Sequence, residues 1–63
     1  VTAYTCACCG QKTLEYKDFF EICPVCGWED DPLQRDKPDY TGGANEMSLN
    51  QAKEAYRKGL PII

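Results

Sequence analysis

The pattern of apolar and polar positions is most regular near the C-terminus. Leu49, Ala52, Ala55 and Tyr56 fall on one side of a 3.6-residue helix. Ser48 and Gln51 have the spacing of a capping box, Met47 stands where a staple to Ala52 would begin, and Gly59 followed by Pro61 ends the pattern. Glu54 and Lys58 form a favourable i, i+4 pair on the polar side. The spacing predicts one amphipathic helix of about ten residues, too short to persist alone, so its apolar stripe must dock on the rest of the chain.

Further upstream the pattern changes period. Val1 to Thr5 reads as an edge strand, and Lys12-Thr13-Leu14 as a segment leading out of the first cysteine group. Phe20 and Ile22 alternate with Phe19 and Glu21, which is a short strand signature, and Tyr16-Lys17-Asp18 reads as the connecting loop. From Glu29 to Asn45 no period holds. Asp31-Pro32 and Lys37-Pro38 resist helix continuation, and Gly42-Gly43 permits a turn closed to other residues. The expectation there is an irregular loop, and loops of that length in small domains are functional or disordered.

Cysteines change this picture. Cys6-Ala7-Cys8-Cys9-Gly10 and Cys23-Pro24-Val25-Cys26-Gly27 are two C-x-x-C-G units whose cysteine pairs are separated by thirteen residues, Gly10 to Ile22. Each unit is a tight turn that aims two sulfurs at one cation from the same side. Glycine after the second cysteine supplies the positive φ that closes the turn, and Pro24 fixes φ inside the second unit where the first has Ala7. Four soft donors select zinc, or iron in a rubredoxin-like site, over magnesium or calcium. The expected ligands are Cys6, Cys9, Cys23 and Cys26, holding one zinc ion. Cys8 reads as a bystander thiol, because adjacent Cys8 and Cys9 chelate poorly. Five cysteines cannot all pair within one chain, and nothing here builds the βαβ unit of a thioredoxin-like redox site.

A chain of 63 residues is marginal without such a staple. The expected fold is a small metal-stabilised α+β domain: a zinc ribbon with two knuckles on short β-hairpins, plus one C-terminal α-helix. Residues 1–28 form the ribbon, 29–47 an acidic loop and 48–59 the helix. No run is apolar enough to span a membrane and no signal-like segment is present, so a thiol-rich chain of this kind is expected in the cytoplasm.

Net charge is −3, and the segment from Glu29 to Asp39 holds all of it, with five acids against Arg35 and Lys37. A nucleic-acid binder of this size shows a basic footprint, which is missing, although Lys12, Lys17 and Lys53 leave room for a local patch. Calcium lacks its alternating ladder of acids. Trp28, next to the second knuckle, reads first as a packing residue beside the site and second as an exposed anchor.

Taken together, Cys6-Ala7-Cys8-Cys9-Gly10, Lys12-Thr13-Leu14, Glu21-Ile22-Cys23-Pro24-Val25-Cys26, Trp28-Glu29-Asp30-Asp31, Pro38-Asp39-Tyr40, Gly42-Gly43-Ala44-Asn45 and Ser48-Leu49 resemble the bacterial cysteine-rich CPCC family. The resemblance runs from about Cys6 to the helix. One departure is Ala7, where the motif that names the family has proline. The resemblance implies small zinc-ribbon-like proteins without a settled activity.

The functional expectation is a structural-zinc module that contacts another protein through the acidic loop, with Trp28, Glu29, Asp30 and Asp31 as partner-binding residues. A basic partner such as a nuclease toxin would make it an immunity or anti-toxin factor. A second reading is electron transfer: the two C-x-x-C-G units, the nearby aromatics Tyr4, Phe20 and Trp28 and the acidic surface resemble rubredoxin, although the gap between units is shorter than in that family. A third is a nucleic-acid-binding ribbon. Catalysis is not expected, since there is no histidine, four sulfurs leave no open metal position, and the chain is too short for an enclosed pocket.

Overall fold

The computed structural model describes residues 3–63 of the chain. Strand β1 (Tyr4–Thr5) pairs antiparallel with β2 (Lys12–Leu14), with Tyr4 opposite Leu14, Thr5 opposite Lys12, and a register shift between Tyr4 and Thr5. The hairpin loop between them is the first knuckle. Of the edge strand expected over residues 1–5, the first two positions lie outside the described residues.

Both knuckles close the same way. Gly10 N–H donates to the Cys6 carbonyl at 2.9 Å, and Gly27 N–H to the Cys23 carbonyl at 2.8 Å. Cys6 N–H reaches the Gln11 carbonyl at 2.8 Å, and Cys23 N–H the Trp28 carbonyl at 2.9 Å. Gly10 and Gly27 sit at φ of 78° and 86°, the left-handed region that glycine occupies without steric cost. Ala7 in place of proline leaves this turn intact. The second knuckle is flanked by an isolated bridge between Ile22 and Glu29 instead of a full hairpin.

The strand expected over Phe19 to Ile22 does not form. Asp18 and Phe20 both have positive φ, 63° and 58°, which breaks the extended run. The cause lies across the chain at Asp30. Its carboxylate accepts the Asp18 N–H at 2.8 Å and its carbonyl accepts the Phe20 N–H at 3.2 Å. Its own N–H donates to the Glu21 carbonyl at 2.9 Å. Phe19, Phe20 and Ile22 consequently face solvent.

The segment expected to be irregular contains helix α1 (Pro32–Asp36). Asp31-Pro32, read above as resisting a helix, starts one. Asp31 is the N-cap, its carboxylate accepting the Leu33 N–H at 2.9 Å, and Pro32 occupies the first turn where a missing N–H costs nothing. Pro38 follows the cap at Lys37 and prevents extension.

The rest of the loop is organised by Gln34, which is fully buried. Its side-chain NH2 shares two N–H donors among the carbonyls of Tyr40, Asn45 and Met47, each 3.0–3.1 Å from Nε2, and its oxygen accepts from the Asn45 backbone and side chain at 3.1 and 2.9 Å. Gly43 passes so close that a Cβ there would lie 2.7 Å from an Asp31 carboxylate oxygen and 2.8 Å from Gln34 Cδ.

Helix α2 (Leu49–Lys58) lies inside the expected 48–59, whose end residues Ser48 and Gly59 are its caps. Ser48 Oγ accepts the Gln51 N–H at 3.1 Å and the Gln51 side chain accepts the Ser48 N–H at 2.8 Å, completing the capping box. Gly59 caps the other end at φ 74°. Leu49, Ala52 and Ala55 are buried, whereas Tyr56 is 37% exposed. The tail turns back. Met47 N–H donates to the Ile63 carbonyl at 3.0 Å, and Ile62 packs on the core.

That core consists of Cys6, Cys8, Leu14, Cys23, Trp28, Leu49 and Ala52. Cys6 and Cys23 of the four-sulfur group lie in this core and Cys9 and Cys26 pack against it, so the sulfur site and the hydrophobic core are one structure. Among the described residues no helix is long and apolar enough to cross a membrane.

Candidate metal centre

The hairpin presents Cys6 and Cys9, the bridged turn presents Cys23 and Cys26, and the four sulfurs lie within 4.8 Å of one another. The closest approaches run between knuckles: Cys6 to Cys26 at 3.6 Å and Cys9 to Cys23 at 3.7 Å. A tetrahedral ion with metal–sulfur distances of about 2.3 Å has sulfur–sulfur edges of about 3.8 Å. A disulfide needs about 2.05 Å. The spacing fits a shared cation, and all five cysteines are free thiols. The four cysteines picked out by their sequence spacing are therefore the ones the fold brings together.

Protonation in this cluster is uneven. Burial pushes the Cys6 thiol well above its ordinary value, although the N–H groups of Cys9 and Cys8 pull the other way. Burial also raises Cys26, to about 12, against an opposing hydrogen bond from the Trp28 N–H. At Cys23 burial again acts upward, but donors outweigh it. The Thr13 hydroxyl and the N–H groups of Cys26 and Val25 stabilise the thiolate and hold it at about 6. Thr13 Oγ1 stands 2.9 Å from this sulfur. Sequence reading passed over Thr13, because a threonine in a short strand carries no mark of what its hydroxyl touches.

Cys8 lies outside the four-sulfur group. It is 8% exposed, packs in the core with Trp28 and Leu49, and has its thiol raised by burial. It borders the site, with the Cys26 thiol among its neighbours.

The four residues expected to contact a partner are placed differently from that expectation. Trp28 and Asp30 are fully buried, Asp31 is 5% exposed and Glu29 is partly buried. Trp28 fills the core, its indole N–H without a hydrogen-bond partner. Asp30 receives Arg35 and the Asp18 N–H, while Asp31 caps α1 and accepts the Ala44 N–H at 2.9 Å. The Glu29 backbone is clasped by the Asn45 side chain through contacts of 3.0 and 2.9 Å. Expecting an acidic recognition surface from Trp28, Asp30 and Asp31 is thus corrected: these carboxylates satisfy interior donors, which a charge count cannot reveal.

Among curated proteins none matches the chain significantly. A family model described as cysteine-rich CPCC matches residues 4–59, from β1 through the cap of α2. By that match, the chain belongs to the cysteine-rich CPCC family.

Proposed function

We propose that the chain is a metal-stapled interaction module, in which Cys6, Cys9, Cys23 and Cys26 hold one structural zinc ion and no reaction is catalysed. The observation that carries this reading is the pair of cross-knuckle sulfur distances, 3.6 and 3.7 Å, which match a tetrahedral four-sulfur shell. Such a shell is closed. With four protein ligands the ion has no position left for water or substrate, so its contribution is to the fold. Structural zinc in small domains supplies an apparent ~10–16 kcal/mol at neutral pH, comparable with a whole domain's net stability.

Free thiols fit a reducing compartment such as the cytoplasm, where a thiolate site stays competent for metal. Contact with another protein is the role proposed for the finished surface. Elemental analysis of the purified chain, with spectroscopy of the same sample, tests the metal. One zinc per chain and no visible colour are expected, and exhaustive chelation should abolish the fold. A red protein with one iron per chain would move the reading to electron transfer. A chelated chain that keeps its structure would end it.

A further inference from the structure

The two knuckles share one asymmetry: in each, the first cysteine is enclosed and the second is not. Cys6 and Cys23 are both 1% exposed and belong to the core cluster with Trp28 and Leu49. Cys9 and Cys26 are partly exposed and pack against that cluster. Gly10, Val25 and Gly27, the residues beside them, are exposed. Each close sulfur contact between knuckles therefore joins an enclosed thiol to an accessible one, Cys6 to Cys26 at 3.6 Å and Cys23 to Cys9 at 3.7 Å.

Anchoring follows the same division. Cys6 and Cys23 have both backbone groups bonded: their N–H groups donate to the Gln11 and Trp28 carbonyls, and their carbonyls accept from Gly10 and Gly27. The Thr13 hydroxyl holds the Cys23 sulfur from the hairpin side at 2.9 Å. Cys9 and Cys26 instead stand at the end of each turn, one residue before a glycine at positive φ. Local opening starts where few buried contacts hold the chain. Partly exposed thiolates are the reactive ones, and buried structural cysteines are inert.

We propose that Cys9 and Cys26 are the reactive edge of the loaded centre, the sulfurs through which metal enters and leaves and the ones that a soft electrophile modifies first. The proposal rests on reading the four cysteines as a zinc site. Opening of one knuckle tip frees an outer sulfur while Cys6, Cys23 and the core stay in place, so the first metal–sulfur bond breaks without global unfolding. With a maleimide as the electrophile, a sulfur lone pair forms the C–S bond as the alkene π bond breaks. The carbon left negative takes a proton from water, and the metal–sulfur bond is lost. Cys8 supplies the contrast: it lies outside the four-sulfur group, so no metal bond guards it, yet it is only 8% exposed. Were ligation the only guard, Cys8 would react first; with enclosure as the guard, it is slow.

The test treats the full zinc-loaded chain with substoichiometric N-ethylmaleimide and maps singly modified chains by mass spectrometry, while a chromophoric indicator follows zinc release. Cys9 and Cys26 should be modified about tenfold faster than Cys6, Cys8 and Cys23, with zinc released in step. Urea below the unfolding transition should leave the two outer rates nearly unchanged, because opening a knuckle tip exposes little surface. Modification of all five cysteines at one rate, strong acceleration by urea, or Cys8, Cys6 or Cys23 reacting first would overturn the proposal. Zinc content separates the two readings. A zinc-loaded chain whose inner and outer cysteines react alike sinks the reactive edge alone, and a folded chain without metal sinks the zinc site with it.

Discussion

The Thr13 hydroxyl lies 2.9 Å from Cys23 Sγ, reaching from the middle strand position of the hairpin across to the opposite knuckle. It links the two knuckles directly, through a side-chain contact between them. It also sets Cys23 apart from Cys6 and Cys26 in acidity. Replacing Thr13 by valine keeps the shape and removes the donor. The Cys23 value should rise from about 6 and metal affinity at neutral pH should fall about tenfold. Competition with a chromophoric chelator measures this, and Thr13→Ser should restore the affinity.

Metal binding should release protons unequally. Cys6 and Cys26, raised by burial, hold protons at neutral pH that a metal must displace, whereas Cys23, at about 6, is already mostly ionised. Each displaced proton changes apparent affinity about tenfold per pH unit. These two thiols therefore make affinity rise about a hundredfold per pH unit around neutrality. Cys23 is the depressed case: its contribution is present above about 6 and is lost as pH falls through that value, which steepens the dependence there. Calorimetry in buffers of different protonation enthalpy counts the protons, and fewer than two at pH 7 would contradict the assignment.

Cys8 separates ligand from filler. Cys8→Ala should retain one metal ion per chain and cost under about 2 kcal/mol, as for an ordinary small core truncation. Cys9→Ser should lose the metal and the fold. Metal-to-protein ratios after gel filtration decide between them, and a metal-free Cys8→Ala would reassign the ligand set.

Gln34→Leu has nearly the right volume and should still be among the most damaging changes outside the cysteines. It leaves the carbonyls of Tyr40, Asn45 and Met47 without their donor and Asn45 without its acceptor. Burying several orphaned groups should cost about 3 kcal/mol or more. Urea unfolding of the metal-loaded protein reads the loss, and hydrogen exchange should locate it at residues 29–47.

What was legible in the sequence was whatever is written in local spacing. The two cysteine units, the glycines that close them and the capping box of α2 each depend on neighbours a few residues apart, and all formed as expected. Asp31-Pro32 was legible in principle, since acid-then-proline opens helices as well as ending them; α1 is short enough that no apolar period announced it. What depends on distant partners stayed hidden. Phe19 to Ile22 alternates like a strand, yet Asp30 draws the backbone of Asp18 and Phe20 out of the extended region. The acids between Glu29 and Asp31 count as surface charge in a sequence. In the fold Asp30 neutralises Arg35 and Asp31 caps a helix, because Gln34 and Asn45 pull that segment inward.

The chain has one tryptophan, and it is wholly enclosed in the cluster that also contains Cys6, Cys8 and Cys23. Its ultraviolet emission is therefore an intrinsic gauge of whether the interior is dry. Loss of the ion should shift that emission toward the red as the indole meets water, so occupancy can be followed in dilute solution without a dye or an affinity label.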